Sequence, residues 1–170
     1  MLDRQNAPEP SPAAPPTDPR AGLVAAVIAH DTARRRVALV QRAHGARFAP
    51  GLWDLPGGKR ESYESVAATA IRELREETGL LVDSGNLELA HVIHGARGVD
   101  APTSYLTVVF ATYDWSGELS NREPEKHAQA RWMPTDALPP EFVPSTGGAL
   151  RQHLRGQRPS FALRGWDAEA

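Results

Sequence analysis

The chain has 170 residues, of which 41 % are hydrophobic and 24 % charged, values typical of one globular domain. Its net charge of −2 provides no strong basic field, so nucleic acid is not expected as a partner. The absence of cysteine excludes disulfides and thiolate–zinc sites. The longest apolar run, residues 21–29, is too short to cross a bilayer, and the N-terminus lacks a secretory signal pattern. We expect a cytoplasmic protein with no membrane partner.

Both ends of the chain are expected to lie outside the folded domain. Residues 1–20 are rich in proline and poor in large apolar side chains, a composition typical of disorder. A flexible extension explains this composition, and a proline-rich segment that binds a partner is the alternative. The domain is expected to span residues 21–156, and residues 157–170 are expected to form a tail or an appended strand.

Short apolar runs bounded by turn residues predict the strands of this domain. Residues 22–30 and 37–40 are two such runs, and the charged segment between them predicts a hairpin-like connection. Residues 105–113 are rich in β-branched and aromatic side chains and predict another strand. The remaining expected elements are 87–93 (a strand or a short helix), 131–134 (a final strand) and 145–155 (a helix with Ser145 as N-cap and Gly156 as stop). Strands that alternate with two helices predict an α/β/α sandwich on a mixed β-sheet.

Three glutamates share one face of a further predicted helix. Glu73, Glu76 and Glu77 have the spacing i, i+3, i+4, and an apolar stripe on the same helix places them at the edge of its buried face. Arg72 and Arg75 are expected on the other side. Neighbouring carboxylates repel one another, and a hard divalent cation with oxygen ligands would offset that cost. A metal site is therefore predicted, and the alternative is a solvent-exposed helix with i, i+4 ion pairs.

The sequence around this helix resembles the Nudix box of the MutT-like pyrophosphohydrolases. That box has the pattern G-x5-E-x7-R-E-U-x-E-E-x-G-U, in which U is a bulky aliphatic residue. Every fixed position is present here, as Gly58, Glu64, Arg72, Glu73, Leu74, Glu76, Glu77, Gly79 and Leu80. A match at nine spaced positions is a specific signal. The resemblance implies the single-domain Nudix fold, an α/β/α sandwich in which the box forms a strand, a loop and a helix.

The resemblance also implies a Mg²⁺ site, at which Mn²⁺ is a possible substitute. Glu76 and Glu77 correspond to the principal metal ligands, and the carbonyl of Gly57 to a further ligand. A glutamate in the later loop 114–126 completes the metal ligands in this family. Alignment of the tryptophans around that loop favours Glu123 and leaves Glu125 and Glu118 as alternatives.

Other residues of the box have implied roles beside the metal. Glu73 is either a metal ligand or the general base, and Glu76 belongs with it to the catalytic carboxylates. Arg72 is expected to orient the glutamates through charge-assisted hydrogen bonds. Glu64 is expected to fix the loop or to lie in an outer shell around the metal.

Three residues outside the acidic helix are candidates for contact with the substrate. Arg42 follows the second predicted strand, where the family commonly binds phosphate, although a solvent-exposed arginine is an equal alternative. Gly58 lies in the glycine loop, which allows a ligand to approach the backbone closely. Alignment with the family implies that Thr107 and residues 139–145 face the nucleobase. His91 and His94 are not expected to form a metal pair.

The implied reaction is hydrolysis of a nucleoside diphosphate linked to a further group. The segments 121–134 and 136–142 resemble MutT-like enzymes that cleave oxidised nucleotides or CTP, which favours a nucleoside triphosphate cut to monophosphate and pyrophosphate. The alternatives are an ADP-ribose or dinucleoside polyphosphate hydrolase, a non-catalytic nucleotide sensor and an enzyme of capped RNA ends. A homodimer is a possible assembly that no feature of the sequence marks.

Overall fold

The computed structural model describes residues 22–96 and 104–164 of the chain. Residues 1–20, for which we predicted a disordered extension, lie outside the described residues. The described elements, in chain order, are β1 (Gly22–Asp31), β2 (Arg36–Arg42), β3 (Trp53–Asp54), β4 (Gly57–Lys59), α1 (Val66–Thr78), a 3₁₀ turn (Ser84–Asn86), β5 (Glu88–Gly95), β6 (Tyr105–Thr112), β7 (His127–Pro134), α2 (Pro144–Leu154) and β8 (Ser160–Arg164).

The strands in the described ranges form one mixed sheet. Its main path runs β3-β2-β1-β6-β5-β8, while β4 pairs with β1 and β7 pairs with β2. The β1–β6 and β5–β8 pairs are parallel, and the other pairs are antiparallel. The predicted hairpin between β1 and β2 is present and joins His30 to Val37 in register.

Strand β1 is the centre of the domain because both of its faces are covered. Ala25, Val27 and Ala29 belong to the core on the α1 side, whereas Ala26 and Ile28 belong to the core that contains residues of α2. Burial on both faces explains why the β1 sequence is continuously apolar rather than alternating. A sheet between two helical layers is the predicted α/β/α sandwich, and the fold prediction is confirmed.

Two strands at the C-terminal side differ from the sequence prediction. The strand predicted at 131–134 begins four residues earlier, at His127, because its whole length pairs with β2. It is not the final strand, since β8 follows α2 and pairs with β5. Strand β8 corresponds to the appended strand that was one alternative for residues 157–170, and it extends the sheet beyond residue 156, the predicted end of the domain.

The cap of α2 also differs from the prediction. Pro144 occupies the first turn and Val143 stands at the N-cap position, so Ser145 is not the N-cap. Proline suits the first helical position because its missing N–H would lack a helical partner in any case. Gly156 follows the helix with φ of 67°, the left-handed conformation that commonly ends helices.

Neither helix in residues 22–96 and 104–164 has the length and apolar character needed to cross a membrane.

Candidate active site

Helix α1 holds the three glutamates firmly because both of its ends are capped. The Ser65 hydroxyl accepts the N–H of Ala68 at 3.1 Å. Gly79 adopts φ of 77° and donates its N–H to the Arg75 carbonyl. Capping of this kind satisfies backbone groups that a helix end leaves without partners. Of the glutamates, Glu73 and Glu77 are buried and Glu76 is half-buried.

The loop before α1 approaches the glutamates so closely that only glycine fits. A Cβ atom at Gly57 would overlap the main chain of β1, and one at Gly58 would overlap the carboxylate of Glu73. The N–H of Gly57 donates to Oε2 of Glu77 at 2.9 Å. The two glycines thus allow the loop and the acidic helix to meet.

The carbonyl of Gly57 faces the same side as its N–H. The neighbouring ladder bonds run from Val27 N–H to the Pro56 carbonyl and from Arg60 N–H to the Leu23 carbonyl. Because hydrogen-bonded pairs alternate with non-bonded pairs in an antiparallel ladder, both backbone groups of Gly57 point away from β1. The carbonyl proposed as a metal ligand therefore lies on the side where Glu77 is bound.

A compact donor set forms where Glu77 meets the start of β7. Ligand atoms of Glu77, Glu123 and His127 all lie within 4.8 Å of one another. Nε2 of His127 is 3.4 Å from Oε1 of Glu77, and both side chains are almost fully buried. Oε2 of Glu123 and Nδ1 of His127 are buried without a hydrogen-bond partner in the described part of the chain. Lys126 covers the outer side, with Nζ 2.6 Å from Oε1 of Glu123.

Arg72 organises a second group of carboxylates. Its guanidinium contacts Glu64 Oε1 at 2.9 Å, Glu73 Oε1 at 2.8 Å and Glu76 Oε2 at 3.0 Å. It also donates to the Lys59 carbonyl at 3.2 Å, which ties α1 to the loop. Arg72 therefore lies among the glutamates, and our prediction that it projects from the other side of the helix was wrong. Its long side chain turns back along the helix to reach them.

Glu64 links this arginine to the turn before α1. Its Oε2 accepts the N–H of Glu61 at 3.1 Å and the hydroxyl of Thr69 at 2.8 Å. Through these bonds, Glu64 connects the turn before α1 to the first turns of the helix.

Burial and charge shift the acidities of these groups in opposite directions. The hydrogen bonds from Arg72 lower the pKa of Glu64 to about 2. Desolvation raises the pKa of Glu73 and raises that of Glu77 well above its ordinary value, despite the Gly57 N–H. Desolvation also lowers the pKa of His127, which favours its neutral form. Glu77 is thus a buried carboxylate whose negative charge is poorly compensated by the protein alone.

Arg42, which was predicted to bind a phosphate of the substrate, lies beside this site, and its side chain contacts other groups of the protein. Its Nε donates to the Phe48 carbonyl at 2.6 Å, and its NH1 is 3.9 Å from Oδ2 of Asp54. Asp54 is buried and accepts the Thr146 hydroxyl at 2.6 Å. Burial raises the pKa of Asp54 to about 6. Arg42 also pairs in the sheet with His127, which brings the end of β2 next to the donor set.

Thr107 is the predicted substrate residue that the fold does not bring to the glutamates. It is buried on β6 opposite Val24 of β1. Strand alternation puts it on the same face as Val109, which belongs to the core on the α2 side. The glutamates lie on α1, across the sheet from that core.

The three loop glutamates are in different surroundings. Glu123 is half-buried and lies in the donor set, whereas Glu118 and Glu125 are exposed. A single turn positions Glu123, because its carbonyl accepts the N–H groups of Lys126 and His127 at 2.9 Å each.

Sequence reasoning did not single out His127 or Asp54. The only local signal for His127 is its position four residues after Glu123, a spacing that one turn brings together. Asp54 sits in a short strand whose burial depends on distant residues such as Thr146. Both residues could be found only after the chain was folded.

Comparison with known proteins agrees with this architecture. A family model described as NUDIX domain matches residues 20–153. The chain belongs to the Nudix family. The predicted family is thereby confirmed.

Individual relatives support the same conclusion. The chain is 39 % identical over 141 residues to a CTP pyrophosphohydrolase of Escherichia coli. This match covers 81 % of this chain and 96 % of that protein. It is 38 % identical over 98 residues to the NAD-capped RNA hydrolase NudC of Pseudomonas aeruginosa, covering 58 % of this chain and 32 % of NudC. The first curated relatives are longer, and the matches span 37 % and 32 % of their lengths.

A solved structure gives the same fold. The MutT Nudix hydrolase of Burkholderia pseudomallei superposes with a TM-score of 0.67 at 26 % identity, and the match covers 78 % of this chain and 98 % of that one.

The donor set of this Nudix domain fits a divalent cation. Carboxylate oxygens are ligands that hard cations prefer, and Oε2 of Glu123 is a buried acceptor without a partner in the described residues. A cation would also stabilise the charged form of Glu77, which burial disfavours.

Proposed function

We propose that this Nudix domain is a Mg²⁺-dependent pyrophosphohydrolase that cleaves a nucleoside triphosphate to the monophosphate and pyrophosphate. The observation that carries this proposal is the grouping of Glu77 and Glu123 within 4.8 Å, against the glycine loop of a complete Nudix box. The triphosphate is favoured because the match to the CTP pyrophosphohydrolase extends over 96 % of that protein. A domain of similar extent is expected to recognise a compact substrate.

The residues that would hold the metal are Glu77, Glu123, Glu76 and the carbonyl of Gly57. A bound Mg²⁺ lowers the charge repulsion between the acidic site and the phosphates and lowers the pKa of a bound water. Arg72 holds the carboxylates in place, and its bonds to Glu64 and the Lys59 carbonyl prevent α1 from shifting against the loop. Such supporting contacts commonly affect activity by about 10–100-fold.

Glu73 is assigned the role of general base. It lies outside the set of Glu77, Glu123 and His127, and Arg72 binds its Oε1. Its Oε2 accepts a proton from the attacking water, whose oxygen bonds to one phosphorus of the α–β linkage. The bridging oxygen leaves with the other phosphorus, which yields the monophosphate and pyrophosphate.

Two further groups are assigned to substrate binding. Arg42 lies at the edge of the site, where exchange of its bond to the Phe48 carbonyl for a phosphate oxygen would place its charge on the substrate. Gly58 lets the phosphates approach the loop. Thr107 has no support from the geometry as a nucleobase contact, since it lies on the α2 side of the sheet.

The first test is a substrate panel with Mg²⁺, assayed for pyrophosphate and orthophosphate and followed by chromatography of the products. The panel contains the normal triphosphates, oxidised triphosphates, ADP-ribose, dinucleoside polyphosphates and an NAD-capped RNA. The expected result is stoichiometric pyrophosphate and a single monophosphate, abolished by EDTA and restored by Mg²⁺ or Mn²⁺.

Each other outcome contradicts a different part of the proposal. Turnover confined to ADP-ribose or dinucleotides would overturn the substrate class and keep the site. Turnover confined to capped RNA would favour the reaction named for NudC. Metal-dependent nucleotide binding without turnover would identify a nucleotide sensor.

A further inference from the structure

His127, at the start of β7, is buried and has several main-chain hydrogen bonds. Its side chain is 3 % exposed. Its N–H bonds to the Glu123 carbonyl at 2.9 Å, and its carbonyl accepts Nδ2 of Asn121 at 2.8 Å. Pairing with Arg42 of β2 fixes its main chain in the sheet. The main chain of His127 is therefore fixed, and its buried ring lies against Glu77.

The contact between His127 and Glu77 is not a good hydrogen bond. Their Nε2 and Oε1 atoms are 3.4 Å apart, and this distance exceeds the 2.7–3.2 Å that is typical of N–H···O hydrogen bonds in proteins. Two ligands that are each about 2.1 Å from one cation stand about 3.0–3.4 Å apart for bond angles between a right angle and the tetrahedral value. The observed separation of 3.4 Å lies at the wide end of this range, which is close enough for both atoms to bind one cation.

Three unpartnered polar atoms lie within seven residues of the chain. Within the described residues, the buried side-chain atoms without a hydrogen-bond partner are Oδ1 of Asn121, Oε2 of Glu123 and Nδ1 of His127. Unpartnered buried polar atoms are rare in folded proteins and call for a specific explanation. A bound ion would supply a partner for Oε2 of Glu123, and ordered water would supply partners for Oδ1 of Asn121 and for Nδ1 of His127, the ring nitrogen that does not contact Glu77.

We propose that Nε2 of His127 is a direct ligand of the divalent cation held by Glu77 and Glu123, and that this nitrogen gives the site a preference for Mn²⁺ over Mg²⁺. The inference rests on the proposed function, because it assumes that the donor set binds the catalytic metal. Transition-metal cations accept an imidazole nitrogen more readily than Mg²⁺, which prefers oxygen ligands and retains water.

The test is pulsed electron paramagnetic resonance of the Mn²⁺-loaded full chain. Protein with natural histidine should show ¹⁴N modulation, and protein grown with ¹⁵N-histidine should show ¹⁵N coupling in its place. The His127→Gln variant should still bind Mn²⁺ but lose the nitrogen coupling. By calorimetry, its Mn²⁺ affinity should fall about ten-fold or more, with little change for Mg²⁺. His91→Gln is the matched control, because His91 is equally buried but lies on β5 bonded to Ser160, and it should keep the coupling.

The outcomes separate this inference from the proposed function. Mn²⁺ binding without histidine nitrogen coupling in the wild-type protein would overturn the role of His127, while metal-dependent pyrophosphate release would still support the function. Coupling that persists in a folded His127→Gln variant would also overturn it. The labelled wild-type measurement decides the question even where the variant fails to fold. Absence of both metal binding and turnover would overturn the proposed function itself.

Discussion

The carboxylates of the site fall into two groups with different partners. Glu64, Glu73 and Glu76 share the guanidinium of Arg72, and the pKa of Glu64 falls to about 2, although burial raises the pKa of Glu73. Glu77 instead meets the ring of His127 and one backbone N–H, and burial raises its pKa well above the ordinary value. Glu73, Glu76 and Glu77 belong to one short helix, so sequence distance does not explain the difference.

The difference shows which part of the site the protein completes by itself. The guanidinium of Arg72 contacts Glu64, Glu73 and Glu76 and holds these carboxylates in place. Burial disfavours the charged form of Glu77, and the cation proposed for this site would compensate that charge. A metal-dependent hydrolase needs both properties, because the scaffold sets the geometry and the uncompensated carboxylate supplies affinity for the cation.

The largest effect is expected from Glu77→Gln, which removes the uncompensated charge. Turnover should fall by about 10³-fold or more, because the principal oxygen ligand is lost. The metal-free variant should at the same time be more stable than metal-free wild-type protein at neutral pH. Steady-state kinetics and thermal unfolding in EDTA measure the two effects.

The raised pKa of Glu77 determines how the stability of the metal-free protein changes with pH. The folded pKa of Glu77 lies above its ordinary value of 4.5. Its stability contribution is therefore complete below pH 4.5 and is lost as pH rises through the folded pKa. The stability of the Glu77→Gln variant should therefore decrease less as pH rises. Mg²⁺ added to the wild-type protein should have the same effect. Glu118→Gln, an exposed glutamate on loop 114–126, is the control and should change neither turnover nor the pH profile. Equal pH profiles for wild type and Glu77→Gln would show that Glu77 is not the uncompensated group.

Arg72→Lys tests the compensated group. A lysine cannot bond three carboxylates with a planar fork, so turnover should fall about 10–100-fold and the free energy of unfolding should also fall. The Glu64 part of that stability is present above pH 4.5 and is lost as pH falls towards 2, since its folded pKa is about 2. The two proteins should differ most above pH 5 and converge in acid. A stability difference that grows in acid would contradict the assigned network.

The smallest effect is expected from Asp54→Asn, which extends the comparison to a third buried carboxylate. The pKa of Asp54 is about 6 in the folded protein against 3.8 ordinarily, so its stabilising contribution is complete below pH 3.8 and lost by about pH 6. Asparagine keeps an oxygen for the Thr146 hydroxyl and the Leu55 N–H. The variant should be more stable at pH 7.5 by about 1–3 kcal/mol, and the gain should vanish near pH 4.

Denaturant unfolding at both pH values measures this difference. Thr146→Val serves as a comparison, because it removes the hydroxyl donor and leaves the carboxylate. It should lower stability at pH 7.5. Loss of stability in Asp54→Asn at neutral pH would mean that the ion pair with Arg42 outweighs the burial of the charge.

The local features of this protein can be predicted from neighbouring residues in its sequence. The nine box positions identified the family, helical spacing grouped Glu73, Glu76 and Glu77, and the apolar runs of β1 and β6 gave the central strands. These features repeat at the short periods that helices and strands impose, and they can be read from neighbouring residues.

The partners of the acidic helix depend on contacts between distant parts of the chain. Arg72 turns towards the glutamates because Glu64 and the Lys59 carbonyl lie within its reach, and neither position is set by helical spacing. His127 and Glu123 reach Glu77 from 46 or more residues away, because β7 pairs with β2 at the end where the glycine loop meets α1. Whether a carboxylate is compensated depends on its burial and on groups brought by distant strands, and a local pattern contains neither quantity.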